Sequence, residues 1–269
     1  MSVDKNLLQD LASCMANGGL FGPTSGYYCT VEQQGHLALH GHAIICVKKR
    51  LSPQEIKDRV LDQSSPFQKD LLAYLESVRI GEFLTGSKES VQENIAAAEA
   101  APSYITPECT LPIPPPPTCD DCTKENCPTC LTYSKWFLKY QHTIDNLVFK
   151  SNWHECFRGI GKDGTIINKA KFESSCLNNN FKQYKARFPR ECFPESVVDP
   201  DTGHISLKKG EKWLNDVIPA LTYLVHGNTD VTSLMSGTAI KAAVVYIADY
   251  ITKTGLKTHV VFRLYTCYL

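Results

Sequence analysis

The chain has no surplus charge: 28 lysines and arginines balance 28 aspartates and glutamates over 269 residues. No overall positive field draws it toward nucleic acid, so any such binding has to rest on local patches. Long apolar runs are missing too. The longest uncharged ones, near Ala43–Val47 and Ala242–Ala248, fall far short of the ~20 residues that cross a bilayer. The opening MSVDKNLLQDLASCMANGG has no apolar core of signal-peptide length, so an intracellular protein is expected. Cysteine, by contrast, is plentiful. Twelve cysteines in such a compartment point to metal binding or burial before disulfides. The hydrophobic content of 43% and charged content of 21% are those of a globular chain with a sizeable core.

Gly35–Cys46, GHLALHGHAIIC, sets two histidines one residue apart in a strand-like run. Strand side chains alternate, so His36, Ala38, His40, His42 and Ile44 share one face, with His40 and His42 about 6.5–7 Å apart along the backbone. Leu37, Leu39, Gly41, Ala43 and Ile45 share the other face and are expected against a core. Two neutral imidazoles on one strand can share a divalent ion. A half-exposed strand face without a ligand is the competing reading. Upstream, Tyr27–Gln33 alternates β-formers with polar residues, which predicts a hairpin or one bulged strand.

In LSPQEIKDRVLD, Ser52 caps a helix with Pro53 first and Glu55 third, and Ile56, Val60 and Leu61 form its stripe. A second helix is expected over Pro66–Val78, facing inward through Phe67, Leu71, Leu72 and Leu75. From Thr85 the chain turns polar, alanine-rich and then proline-rich, ending in Pro114–Pro117. That run favours polyproline II, so the stretch reads as a semi-rigid spacer outside the core. It leads into CDDCTKENCPTC, in which Cys119, Cys122, Cys127 and Cys130 form two Cys-x-x-Cys knuckles. This spacing presents thiolates to Zn²⁺. The four-residue gap is short for both knuckles to wrap one ion, so one of them could instead borrow His154, Cys156 or Cys176. A metal-free cysteine-rich loop is the remaining reading.

Tyr133–Lys150 has helical spacing through Trp136, Phe137, Tyr140, Ile144, Leu147 and Val148. Lys182, Lys185, Arg187 and Arg190 interleave with Phe181, Tyr184 and Phe188, a mixture that suits phosphate contact with base stacking and suits a solvated loop edge equally well. Val197–Lys209 predicts a hairpin with its turn at Asp199–Gly203. Trp213–Val225 and Thr229–Met235 look helical. A final helix is expected from about Thr238 to Lys253, capped by Ser236 or Thr238 and followed by Gly255. The organisation read from these signals is 1–84, a proline-rich linker 85–118, a cysteine-rich zinc insertion 119–192, and 193–269.

The final helix carries Tyr246 and Tyr250 four residues apart, with Lys253 three further on, so both phenols share one face beside a cation. Core packing would explain tyrosines alone. Joined to His40 and His42, they make a more specific constellation. With LFGPTSGYYCTVEQQGHLALHGHAIIC, SPQEIKDRV, YLESVRIGEFLTG, the proline run before the cysteines, KARFPRE, VDPDTG, LTYL and NTDVTSLMSGTAIKAAVVYIADYITKTGLKTH, the chain resembles the N-terminal, helicase-associated Rep domain of Helitron rolling-circle transposases. The likeness is strongest to fungal copies, which belong to the HUH endonuclease superfamily, and it runs from Leu20 to His259.

The resemblance implies an α+β fold: a palm-like antiparallel sheet with flanking helices, incomplete at its N-terminus and carrying a cysteine-rich insertion. It implies Mg²⁺ or Mn²⁺ on His40 and His42, Tyr246 and Tyr250 as nucleophiles that leave 5′-phosphotyrosine links on single-stranded DNA, and Lys253 as an electrostatic helper. Glu32, Gln34, His36 and Asp249 are candidates for a third ligand. A nuclear location goes with this reading. Three departures stand out: Gly41 between the histidines, His36 in place of an arginine, and Tyr184 in place of a cysteine that would complete a site with His154, Cys156 and Cys176. The comparison also expects a preceding sheet strand and a following helicase, and neither is found in this chain; no GxxxxGK[ST] loop follows Thr258. The alternatives to a nickase are a non-catalytic zinc-containing nucleic-acid-binding or interaction module and a nonfunctional transposon remnant.

Overall fold

The computed structural model describes residues 20–34, 38–48, 51–62, 64–119, 122, 126–154, 158–160, 166–168 and 187–252. The protein is mixed α+β, and its described strands form three two-stranded antiparallel sheets. It divides into two compact units. One comprises residues 1–57 with 234–269, and the other residues 58–233.

In the first unit, strand β1 (Thr24–Gln34) pairs antiparallel with β2 (Ala38–Val47). The expected alternatives thus resolve to a hairpin, with one irregularity between Thr24 and Gly26. The face of β2 expected against a core is not uniformly buried: Gly41 and Ala43 are exposed, while Ile45 is half-buried. A two-stranded hairpin with glycines at Gly26 and Gly41 offers little apolar surface to seal. Helix α1 (Pro53–Leu61) starts on the capping box expected of its sequence. Glu55 Oε2 accepts from the Ser52 amide at 2.8 Å, and Ser52 Oγ accepts from the Glu55 amide at 3.3 Å.

The second unit holds a well-packed core. Helix α2 (Phe67–Val78) buries Leu75 and Val78. The stretch read as spacer begins instead with a helix, α3 (Lys88–Glu99), capped by Ser87, whose side chain accepts from the Ser90 amide. Alanine-rich sequence favours helix, and Val91 and Ile95, one turn apart, are buried in the core. After a 3₁₀ turn at Pro107–Cys109 comes α4 (Pro128–Ser151). At 24 residues it is about 36 Å long. Its C-terminal half supplies Ile144 and Val148 to the cluster formed with Phe83, Val91, Ile95, Leu214, Val217 and Tyr223.

Short hairpins follow: β3 (Arg158–Ile160) with β4 (Ile166–Asn168), and β5 (Val197–Val198) with β6 (Ile205–Ser206). The β5–β6 hairpin lies where the sequence pattern expects one. Trp213–Val225 is not one helix. Only α5 (Pro219–Val225) forms, because proline fits the first helical position and Ile218 before it is extended. Nor is Thr229–Met235 helical. The Val231 amide bonds the Asp216 carbonyl across the fold, and the Thr229 hydroxyl meets that of Thr222 at 2.6 Å. In the first unit, α6 (Gly237–Thr252) packs against β1, and the Ser236 hydroxyl accepts from the Ala239 amide at 3.1 Å.

A polar knot braces the second unit. The Asp216 carboxylate accepts from Lys209 Nζ at 2.7 Å and from Arg79, all three side chains being largely buried. The backbone of residue 81 passes so close that a Cβ there would lie 2.8 Å from Asp216 Oδ1, which only Gly81 allows.

Candidate functional site

Two groups of chemistry-bearing side chains emerge, one in each unit. The first is a histidine–tyrosine cluster. Strand alternation puts His40 and His42 on one face, and their ring centroids lie 4.5 Å apart at an interplanar angle of 72°. The Tyr246 phenol stands edge-on to His42, with centroids 5.1 Å apart at 84°. α6 presents this tyrosine because it packs on β1. Tyr246 is 48% exposed, His40 is exposed and His42 half-buried, so the cluster opens to solvent.

The other expected members of this site are only partly in view. Tyr250 and Asp249 lie on α6, one turn and just under one turn past Tyr246, with only their backbones described. Lys253 and His36 fall outside the described residues. Glu32 and Gln34 lie on β1, where the register pairs Glu32 with His40 and Thr30 with His42. Mg²⁺ demands oxygen ligands and Mn²⁺ too is best suited by carboxylate and water, so either ion would need oxygen ligands beside the two imidazoles. The open face leaves room for oxygen ligands from water or phosphate.

The second group is the four-cysteine cluster. The Sγ atoms of Cys119, Cys122, Cys127 and Cys130 all lie within 4.8 Å of one another. Among the described residues this is the one set of three or more metal-ligating side chains that converges. The two knuckles thus converge despite their four-residue gap. Asn126 takes a left-handed turn at φ 57° immediately before Cys127, and asparagine tolerates that conformation. Cys127 then caps α4, Pro128 fills the first helical position, and Cys130 lies in the first turn.

The Cys119 and Cys127 sulfurs are 3.7 Å apart. Tetrahedral ligation at about 2.3 Å per zinc–sulfur bond sets sulfurs about 3.8 Å apart, so this donor set fits and can hold a metal ion. The local field already favours one thiolate. The Cys130 backbone amide, followed by the Cys119 thiol, pulls Cys127 down to about 6. Hydrogen bonding to Cys122 and burial push Cys130 up to about 12. Cys119 is raised, chiefly by its bond to Cys127.

His154, expected as a possible partner of this cluster, is not part of it. Its ring stacks on Phe188 at 4.3 Å and 7°, and its backbone amide bonds the Trp213 carbonyl at 2.8 Å. Cys156 and Cys176 lie outside the described residues, as do Lys182 and Lys185 of the basic stretch. Arg190 is engaged internally, over the Phe188 ring at 4.6 Å and on Asn215 Oδ1 at 2.8 Å.

Sequence reasoning missed a third feature, the aromatic wall of Tyr133, Trp136, Phe137 and Tyr140 along α4. Trp136 and Tyr140 stack at 5.3 Å, and Tyr140 meets Tyr223 at 4.8 Å. The i, i+3, i+4 spacing of these rings was the available signal, but it reads equally as core.

No protein family, curated protein or solved structure matches the chain.

Proposed function

We propose that the protein is a Helitron Rep-like single-stranded DNA nickase and strand transferase of the HUH type, built on a palm-like sheet. The observation that carries the reading is the edge contact of Tyr246 with His42, itself beside His40. It unites a His-x-His strand and a tyrosine helix from opposite ends of the sequence. His40 and His42 would hold Mn²⁺ or Mg²⁺, with Glu32, the cross-strand partner of His40, the favoured third ligand. The bound ion supplies Lewis-acid polarisation of the scissile phosphate.

In the reaction, the Tyr246 oxygen attacks phosphorus and forms a Tyr–O–P bond. The P–O3′ bond breaks, and the leaving 3′-oxygen takes up a proton. The exposed phenol releases its own proton to water. Tyr250, one turn away, would take the second strand, and Lys253 would offset phosphate charge. Incubation with single-stranded DNA and Mn²⁺ tests this. A covalent adduct that survives Tyr250→Phe or Tyr246→Phe singly and vanishes in the double variant supports the reading. No adduct with any strand or metal defeats it.

The four-cysteine cluster favours a second reading, a zinc-containing nucleic-acid-binding or interaction module without bond cleavage. It requires bound zinc by elemental analysis. It also requires salt-sensitive DNA binding that persists in the double tyrosine variant.

A further inference from the structure

Between the 3₁₀ turn and Cys119 the chain has neither helix nor strand, yet it is held at defined points along α4 and α5. At one end, His226 Nδ1 donates to the Pro107 carbonyl at 2.7 Å. Six residues on, the Ile113 carbonyl accepts from the Trp136 indole N–H at 2.9 Å and from the Tyr223 hydroxyl at 3.0 Å. The Ile113 amide donates to the same Tyr223 oxygen at 3.1 Å. Beyond it, Pro116 and Pro117 border a shallow groove of about 270 Å³, shared with Pro128, Thr129 and Thr132.

The chemistry of this segment limits how anything can recognise it. Of residues 112–117, PIPPPP, only Ile113 owns an N–H. A receptor must therefore donate to carbonyls and offer flat surface to proline rings. Indole and phenol groups do both, which is the mode by which aromatic grooves take polyproline II ligands. Trp136 and Tyr223 supply such donors to the Ile113 carbonyl, and the only amide of the run is met by Tyr223. Side-chain burial is not what holds the segment. Leu111 is 87% exposed and Ile113 49% exposed. The segment is thus a ligand attached by its own chain, seated through backbone bonds.

We propose that the groove between α4 and α5 is a polyproline II-binding site, occupied in cis by residues 112–117, and that it takes a proline-rich segment of another protein when the cis segment leaves. The tethered segment lowers the affinity for an outside ligand in proportion to the time the groove is filled. Nine-tenths occupancy weakens it about tenfold.

The test uses the full chain with Pro112, Pro114, Pro115, Pro116 and Pro117 each changed to Gly, which removes the preformed polyproline II conformation and so favours release of the segment while leaving Trp136 and Tyr223 in place. The probe is the synthetic peptide LPIPPPPT, followed by calorimetry. The expected result is binding about tenfold tighter than to the unaltered chain, lost when Trp136→Phe is added, and absent for LGIGGGGT. A glycine variant that melts normally but shows no saturable binding, or binding indifferent to Trp136→Phe, overturns the proposal. If that variant does not fold, the unaltered chain decides. Excess LPIPPPPT must displace the cis segment and raise hydrogen exchange at the Ile113 amide severalfold, and an unchanged exchange rate overturns the proposal equally.

Discussion

His42 contacts both His40 and Tyr246, its ring centroid 4.5 Å from one and 5.1 Å from the other and steeply inclined to both. A paramagnetic ion held by the two imidazoles would therefore sit close to the phenol. Mn²⁺ titration is expected to broaden the ring signals of His40, His42 and Tyr246 before other aromatic signals. His42→Ala should abolish that selectivity and raise the Mn²⁺ concentration needed by at least ~100-fold, since even residues behind a ligand cost 10–100-fold in metal affinity. Selective broadening that persists after both histidines are changed to alanine would remove metal binding from this strand.

The cysteine cluster should take up one zinc ion per chain. Cys127→Ser is the sharpest single test, because Cys127 caps α4 and is the thiol already drawn down to about 6. The expected outcome is loss of stoichiometric zinc by elemental analysis, with the helical signal retained, since α4 is anchored by its buried C-terminal half. Binding must displace the remaining thiol protons, so zinc affinity should fall steeply on acidification. Equal zinc content in the variant would show that the four sulfurs are not the ligands.

Where local signals agreed, the sequence was readable. Ser52, Pro53 and Glu55 announce α1 within four positions, and its capping box forms as written. Alternation alone put His40 and His42 on one face. The failures are equally physical. Residues 88–99 owe their place in the core to only two buried side chains, Val91 and Ile95, a faint stripe beside a proline run. Pro219 divides an apolar stretch that periodicity reads as one helix. The convergence of the two cysteine knuckles depends on a left-handed residue, Asn126, that spacing rules do not reveal. The contacts of Asp145 and Ile113 join positions far apart in sequence, so no local pattern could announce them.

Asp145 fastens the loop after Gly81 to α4. It is 2% exposed, and its carboxylate accepts from the Leu84 amide at 2.8 Å, the Thr85 amide at 2.8 Å and the Thr85 hydroxyl at 2.6 Å. Asp145→Ala leaves those donors without an acceptor beside the core. The expected loss is about 3 kcal/mol, read as a lower urea midpoint at unchanged slope. Asp145→Asn keeps one acceptor oxygen and should lose less. A midpoint unmoved by alanine would mean that the loop is held by other contacts.

His154 gives the second unit a pH dependence of definite sign. Its ring stacks on Phe188, 4.3 Å away, with Trp213 6.4 Å away and itself 6.2 Å from Phe188. Burial, and then the charge of Arg190, hold its pKa below the ordinary 6.5. The unfolded chain therefore binds a proton at this residue more readily than the folded one does. The stabilisation is fully present above about 6.5, the unfolded value, and is lost as pH falls through the lower folded value. Thermal midpoints of the unaltered chain should fall across that interval. His154→Phe keeps a flat ring in the stack but has no proton to gain, so the fall should flatten while the midpoint near neutrality changes little. An identical slope in the variant would assign the acid sensitivity to other groups.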